Sequence, residues 1–226
     1  MPLSETPERL LKIAANVPIM ETDRNGRNRM NLKRAATIER KTSETAIRLS
    51  VDLEGGGSSA IATGVGFFDH MLTHIAKHGL LTLTVNAVGD LHIDDHHTVE
   101  DVGIALGKAL AEALGDRAGI ARVGNCAVPM DEALVFCAID ISGRGFLACD
   151  LTLNTPRLGD YTTELTVEFF RAVAVNAGWT VHLRQMAGVN THHIIEAAFK
   201  AFGRATAQAV ALDPRVQGIP STKGIL

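Results

Sequence analysis

Two short stretches carry residues that could do chemistry together, "HHTVE" (His96 to Glu100) and "HHIIE" (His192 to Glu196). Each has two histidines followed by a glutamate three residues after the second. On a helix, the first histidine and the glutamate are four apart and share a face. The second histidine is rotated by about 100° from the first. One motif can therefore offer an imidazole and a carboxylate to one ion and a second imidazole elsewhere. If two such helices face each other, within a chain or across a subunit boundary, two mixed sites result. One holds His96, Glu100 and His193, the other His192, Glu196 and His97. Imidazole and carboxylate donors without a thiolate suit a divalent ion such as Mn, Fe, Co or Zn.

Other residues extend these sets. His70 lies on the helix before the first motif, and Glu168 on the equivalent helix before the second. Adding one to each site gives four protein ligands apiece and leaves open positions on an octahedral ion. His70, His74 and His78 are spaced by four, but His70 is taken by the repeat and His78 precedes a helix-ending glycine, where it can meet free carbonyls. His74 is read as a substrate contact. Lys200 continues the face of His192 and Glu196, where a cation could meet an anionic part of a substrate. With Arg122, Arg144 and the terminal "STKG" (Ser221, Lys223), it points to a phosphorylated small molecule.

These side chains need elements to hold them. From residue 37 the pattern alternates as strands do, with Ile38, Ile47, Leu49, Val51 and Leu53 at mostly period-two positions. "AIATGVG" reads as a second strand. "FFDHMLTHIAKHG" reads as a helix with Gly79 as its C′ residue. "LLTLTVNAVG" is a strand, and "HHTVEDVGIALGKALAEALG" a helix ended by Gly115. The second half repeats the order, with two strands in "ARVGNCAVPMDEALVFCAIDISGRGFLACDLTL", a helix ending near Gly178, a strand and a long helix. Each half reads strand, strand, helix, strand, helix. The fold class is therefore α+β, an internally duplicated unit with strands on one side and helices on the other, its two pseudo-symmetric halves (about 37–120 and 121–226) in one compact body. Residues 1–36 differ. "ETPERLLKIAANV" reads as a short amphipathic helix and "DRNGRNRMNLKR" as a polar linker, together a flexible extension.

Composition excludes some classes. The 226 residues carry a net charge of −3, so there is no general footprint for nucleic acid. No apolar run reaches the roughly 18 residues of a membrane span, and no secretory signal is visible. Cys126, Cys137 and Cys149 form no CxxC and are odd in number, which argues for a reducing, cytoplasmic home.

"GFFDHMLTHIAKHGL", "DDHHTVEDVGIALGKAL", "DISGRG", "THHIIEAAFKAFGRA" and "PSTKGIL" together resemble the imidazoleglycerol-phosphate dehydratase family of histidine biosynthesis, from about residue 37 to the C-terminus. The resemblance implies a hydro-lyase that converts D-erythro-imidazoleglycerol phosphate to imidazole-acetol phosphate. It implies two Mn(II) ions per active site and a homo-24-mer with sites at subunit interfaces. Carried over by position, one metal site would hold His70, His96, Glu100 and His193, the other His97, Glu168, His192 and Glu196. Substrate contacts would be Glu44, His74, Arg122, Arg144, Lys200, Ser221 and Lys223. Glu168 stands where several members have His, and His74 where several have Gln.

The reaction needs metals because the glycerol C–H beside the ring is not acidic. A divalent ion can lower the pKa of bound water from about 16 to about 7, and the same Lewis acidity favours a di-metal-bound imidazolate. The electron-rich ring can then expel hydroxide as a diazafulvene forms. Loss of the adjacent proton gives an enol and then the ketone. Glu44, Glu100 and Glu196 are the candidate proton carriers. A binuclear phosphoester hydrolase could use the same ligands, and a metal-dependent structural oligomer would leave Arg122, Lys200 and Lys223 without a role.

Overall fold

The structure, a computed structural model, describes residues 19–22, 28–31 and 33–226. It divides into two units, 1–34 and 35–226. In the first, β1 (Ile19–Thr22) pairs antiparallel with β2 (Asn28–Asn31), so part of the stretch expected as a linker is a strand. The helix expected over residues 5–17 lies outside the described residues.

In the second unit, one half comprises β3 (Ala35–Lys41), β4 (Thr45–Asp52), β5 (Ser59–Ala62), α1 (Gly66–Gly79), β6 (Thr82–Gly89) and α2 (His96–Leu114). The other comprises β7 (Val123–Met130), β8 (Ala133–Asp140), β9 (Phe146–Asp150), α3 (Leu165–Ala177), β12 (Thr180–Ala187) and α4 (Thr191–Val210). A small hairpin, β10 (Arg157–Leu158) with β11 (Tyr161–Thr162), precedes α3. The sheets have matching orders, β3-β4-β6-β5 and β7-β8-β12-β9. In each, the first three strands pair antiparallel and the last pair is parallel. The duplicated α+β unit is thus present.

Each half has three strands of its main sheet before its first helix, where the alternation predicts two. The break between β3 and β4 carries neither Gly nor Pro. Thr42 makes it instead, its Oγ1 accepting from the N–H groups of Glu44 (3.1 Å) and Thr45 (3.0 Å). In the second half, Asp131 and Glu132 join β7 to β8, with Asp131 at φ +46°. Asp is among the residues that tolerate this left-handed region.

Alternation puts Ile47, Leu49 and Val51 of β4, and Val135, Cys137 and Ile139 of β8, into the core. The helices cover those inner faces, α2 on β3 and β4, α4 on β7 and β8. The helices then pair across the halves, α1 with α4 and α2 with α3. Phe68 of α1, Phe169 and Phe170 of α3 and Phe199 of α4 pack with ring centroids 4.7–5.3 Å apart. Such aromatic pairs add about 0.5–1.5 kcal/mol beyond their buried area.

Both helix crossings depend on glycine. A Cβ on Gly107 of α2 would lie 2.7 Å from the Val173 carbonyl oxygen of α3. Gly203, its counterpart in the repeat, faces α1, and a Cβ there would lie 3.0 Å from the Ile75 carbonyl oxygen. The same crossing explains a shifted helix end. Gly79 stays inside α1, where a Cβ would lie 3.4 Å from the Gly203 carbonyl oxygen, and Leu80 takes the left-handed cap conformation at φ +54°. The expected ends at Gly115 and Gly178 are the observed cap positions of α2 and α3.

Candidate functional site

At the start of α4, the Asn190 side chain accepts from the N–H groups of His192 (2.9 Å) and His193 (3.4 Å). This cap satisfies two of the first turn's free donors and fixes where the first turn begins. His192 and Glu196 then share a face, with Nε2 and Oε2 3.2 Å apart. Helix α1 packs there and brings two more histidines. His70 Nε2 lies 3.6 Å from Glu196 Oε2, and His74 Nε2 lies 3.2 Å from Glu196 Oε1 and 3.2 Å from His70 Nε2. One donor atom from each of His70, His74 and Glu196 lies within 4.8 Å of the others. Lys200 donates to Glu196 Oε1 at 2.7 Å.

The electrostatics suit a cation. Burial pushes His74 down to about 4, which leaves its imidazole neutral at pH 7. Burial opposes ionisation of Glu196, but Lys200, His74 and His192 together hold its carboxyl below the usual range. A neutral imidazole beside an ionised carboxylate is the donor form a divalent ion takes. The residues present fit such an ion.

A second group forms where α2 meets α3. His96 Nε2 lies 3.7 Å from Glu100 Oε2. Glu168 of α3 is ion-paired with Arg171, whose guanidinium also feels the Glu100 carboxylate. His70 is expected in one set with His96 and Glu100, and Glu168 in one set with His192 and Glu196. Within the chain His70 joins His192 and Glu196, and Glu168 stands on the side of Glu100. The reason is the crossed helix pairing, which sets the first helix of each half against the HHxxE helix of the other.

The second histidine of each motif is held separately. His97 Nδ1 lies 3.0 and 3.2 Å from the two Asp90 oxygens, and His193 Nδ1 lies 2.7 Å from Glu132 Oε2. These hydrogen bonds raise both imidazoles above the ordinary histidine value and hold Glu132 down at about 2. Glu44, in the turn between β3 and β4, reaches within 3.9 Å of His97 Nε2.

Asp90 and Glu132 carried no signal as motif residues. The acidic neighbours of the first motif would be the natural imidazole partners by proximity, but they take backbone N–H groups and other side chains instead. Asp94 accepts from the His96 N–H (2.8 Å), and Asp95 takes the N–H and hydroxyl of Thr162 (2.6 and 2.7 Å). Asp101 takes Arg40 (2.7 Å) and Thr45 (2.5 Å).

Of the remaining basic residues, Arg122 contacts the C-terminal segment. Arg122 grips Asp140 with two donors (2.7 and 3.1 Å) and gives a third to the Pro220 carbonyl (2.8 Å), the residue before Ser221. Gly143, next to Arg144, approaches the terminal Leu226 so closely that a Cβ would lie 2.5 Å from its carbonyl carbon. Arg122 thus reaches the segment that carries Ser221 and Lys223, and the neighbour of Arg144 meets the end of that segment, whereas Lys200 stands at the Glu196 group. A cleft lined by Gly66, Phe67, Leu158, Gly159, Asp160 and His192 opens beside that group.

The family model for imidazoleglycerol-phosphate dehydratase matches residues 63–206. The chain is similar to the imidazoleglycerol-phosphate dehydratase of Desulforamulus reducens, at 61% identity over 195 residues, covering 86% of this chain and 100% of the relative. It is similar to that of Acidiphilium cryptum at 59% over 196 residues, with 86% and 100% covered. Among solved structures, the Staphylococcus aureus dehydratase superposes with a TM-score of 0.72 at 41% identity, covering 79% of this chain and 99% of that one. The Pyrococcus furiosus dehydratase gives 0.72 at 36% identity, covering 84% and 100%. With the family model spanning more than half its residues and full-length relatives at such identity, the chain belongs to the imidazoleglycerol-phosphate dehydratase family.

Proposed function

We propose that this hydro-lyase of histidine biosynthesis converts D-erythro-imidazoleglycerol phosphate to imidazole-acetol phosphate in a metal-dependent reaction that uses two Mn(II) ions per active site. The observation that carries the metal requirement is the convergence of His70, His74, His192 and Glu196 from two helices of different halves. One ion would be held by His70, His192 and Glu196 with His97 of another copy. The other would be held by His96, Glu100 and Glu168 with His193 of another copy. His97 and His193 are about a third and a quarter exposed, which supports their use between copies. Sites shared in this way belong to a homo-oligomer, and the 24-mer of the family resemblance is the assembly we assign.

Bound there, the two ions would acidify the substrate's imidazole ring toward imidazolate, the chemistry that lets an unactivated carbinol lose hydroxide. The protein does the rest. Glu44 moves the proton on the carbon adjacent to the one that loses hydroxide. Lys200 keeps Glu196 ionised. Arg122 holds the C-terminal segment through Pro220, so that Ser221, Lys223 and Arg144 can take the phosphate, and charge-assisted hydrogen bonds to that phosphate orient the chain. His74 contacts the ring end of the substrate beside Glu196. Among the described residues no helix is long and apolar enough to cross a membrane, and we assign the enzyme to the cytoplasm.

The test is a paired assay of ketone and inorganic phosphate from imidazoleglycerol phosphate. Ketone without phosphate release supports the reading. Phosphate release without ketone replaces it with a phosphoester hydrolase.

A further inference from the structure

The two imidazoles of each motif are treated differently. The first, His96 or His192, turns Nε2 toward the glutamate four residues on. The second turns Nδ1 onto a carboxylate from elsewhere in the chain, Asp90 for His97 and Glu132 for His193. Those carboxylates do not occupy equivalent positions in the repeat. Asp90 follows strand β6, whereas Glu132 sits in the hairpin between β7 and β8. Two unrelated positions make the same contact to two equivalent imidazoles. That convergence points to the imidazole, rather than either loop, as what the contact serves.

We propose that Asp90 and Glu132 are positioning residues that hold His97 and His193 in the Nδ1-protonated form, so that Nε2 is the one ligand atom each can offer. An ionised carboxylate has only acceptors, so the ring nitrogen facing it must carry the proton. The remaining Nε2 lone pair then points away from the carboxylate, toward the side where Glu44 lies 3.9 Å from His97 and Asp131 lies 3.8 Å from His193. A hydrogen bond of this kind fixes ring orientation and raises ligand basicity. Glu132 also takes the N–H groups of Val189 (3.3 Å) and Asn190 (2.9 Å). It thereby ties the ring of His193 to the residue that caps α4, and ring and helix start are set together.

The inference rests on reading His97 and His193 as metal ligands, and the experiment separates the two claims. Metal affinity is measured by competition with a chromophoric chelator, using Mn(II) and Co(II) on the full chain, for Asp90→Asn, Glu132→Gln, His97→Ala and His193→Ala. The ligand-field spectrum is recorded at saturating Co(II). Loss of an orienting partner should weaken binding by about 10–100-fold and shift the cobalt bands in Asp90→Asn and Glu132→Gln. Asp94→Asn, which disturbs the same turn through the His96 N–H, should leave the bands in place. Wild-type affinity and bands in Asp90→Asn and Glu132→Gln, with binding lost in the two alanine variants, would overturn the positioning role and keep the ligands. Wild-type affinity in the alanine variants would remove the ligand assignment itself. Bands moved as far by Asp94→Asn as by Asp90→Asn would assign the effect to the loop and overturn the proposal.

Discussion

Glu44 Oε1 stands 3.9 Å from His97 Nε2, and the bond from Asp90 to the opposite ring nitrogen leaves that Nε2 facing it. A carboxylate beside the imidazole nitrogen proposed as a ligand, half exposed and outside both HHxxE motifs, is placed to carry a proton without being needed to hold the proposed ion. Glu44→Gln should therefore lower kcat by about 10²–10⁴-fold while metal content stays at the wild-type value. Steady-state kinetics alongside elemental analysis checks this, and near-normal turnover would remove Glu44 from proton transfer.

Sites divided between copies can be rebuilt from broken parts. His97→Ala and His192→Ala should each be inactive alone. Mixed by unfolding and reassembly, they should regain measurable dehydratase activity, because some sites would draw His97 from one variant and His192 from the other. Activity that stays at the level of the separate variants would place both histidines in a site supplied by one copy.

How much of this was legible before the structure varies by residue. The paired HHxxE motifs, their helices and the shared face of His192, Glu196 and Lys200 could be read from spacing, because i,i+4 geometry is local. The neighbours of His70 and Glu168 within the chain could not. They depend on α1 packing against α4 and α2 against α3, which no periodicity encodes. The β3–β4 turn was hidden because a threonine hydroxyl does the work usually signalled by Gly or Pro. Glu132 is 61 residues from His193, so nothing local in the chain connects them.

His74 gives the metal-free protein a pH signature. Burial lowers it from the ordinary 6.5 to about 4, so between these values the unfolded chain takes up a proton that the native state refuses. The associated stability is fully present above pH 6.5 and is lost as pH falls toward 4. Thermal melts of the metal-free protein should show Tm falling across that window, and His74→Gln should flatten this part of the profile. An unchanged slope in the variant would assign the window to another group.

The crossing of α2 and α3 leaves no room for a methyl group at Gly107, 2.7 Å from the Val173 carbonyl oxygen. Gly107→Ala should lower stability by about 1–3 kcal/mol through overpacking, read as a shift in the denaturant midpoint. Gly203→Ala should do the same at the α1–α4 crossing, where the contact is 3.0 Å. Wild-type midpoints in both variants would show that these crossings relax freely.

The central claim is that this fold brings divalent ions and imidazoleglycerol phosphate together for dehydration. The direct measurement strips the protein of metal, reconstitutes it with graded Mn(II), and follows ketone absorbance and bound manganese in the same samples. Ketone formation should be absent without metal and should rise with manganese up to two ions per active site. Fully loaded protein that forms no ketone would contradict the account, as would stripped protein that forms it at the same rate.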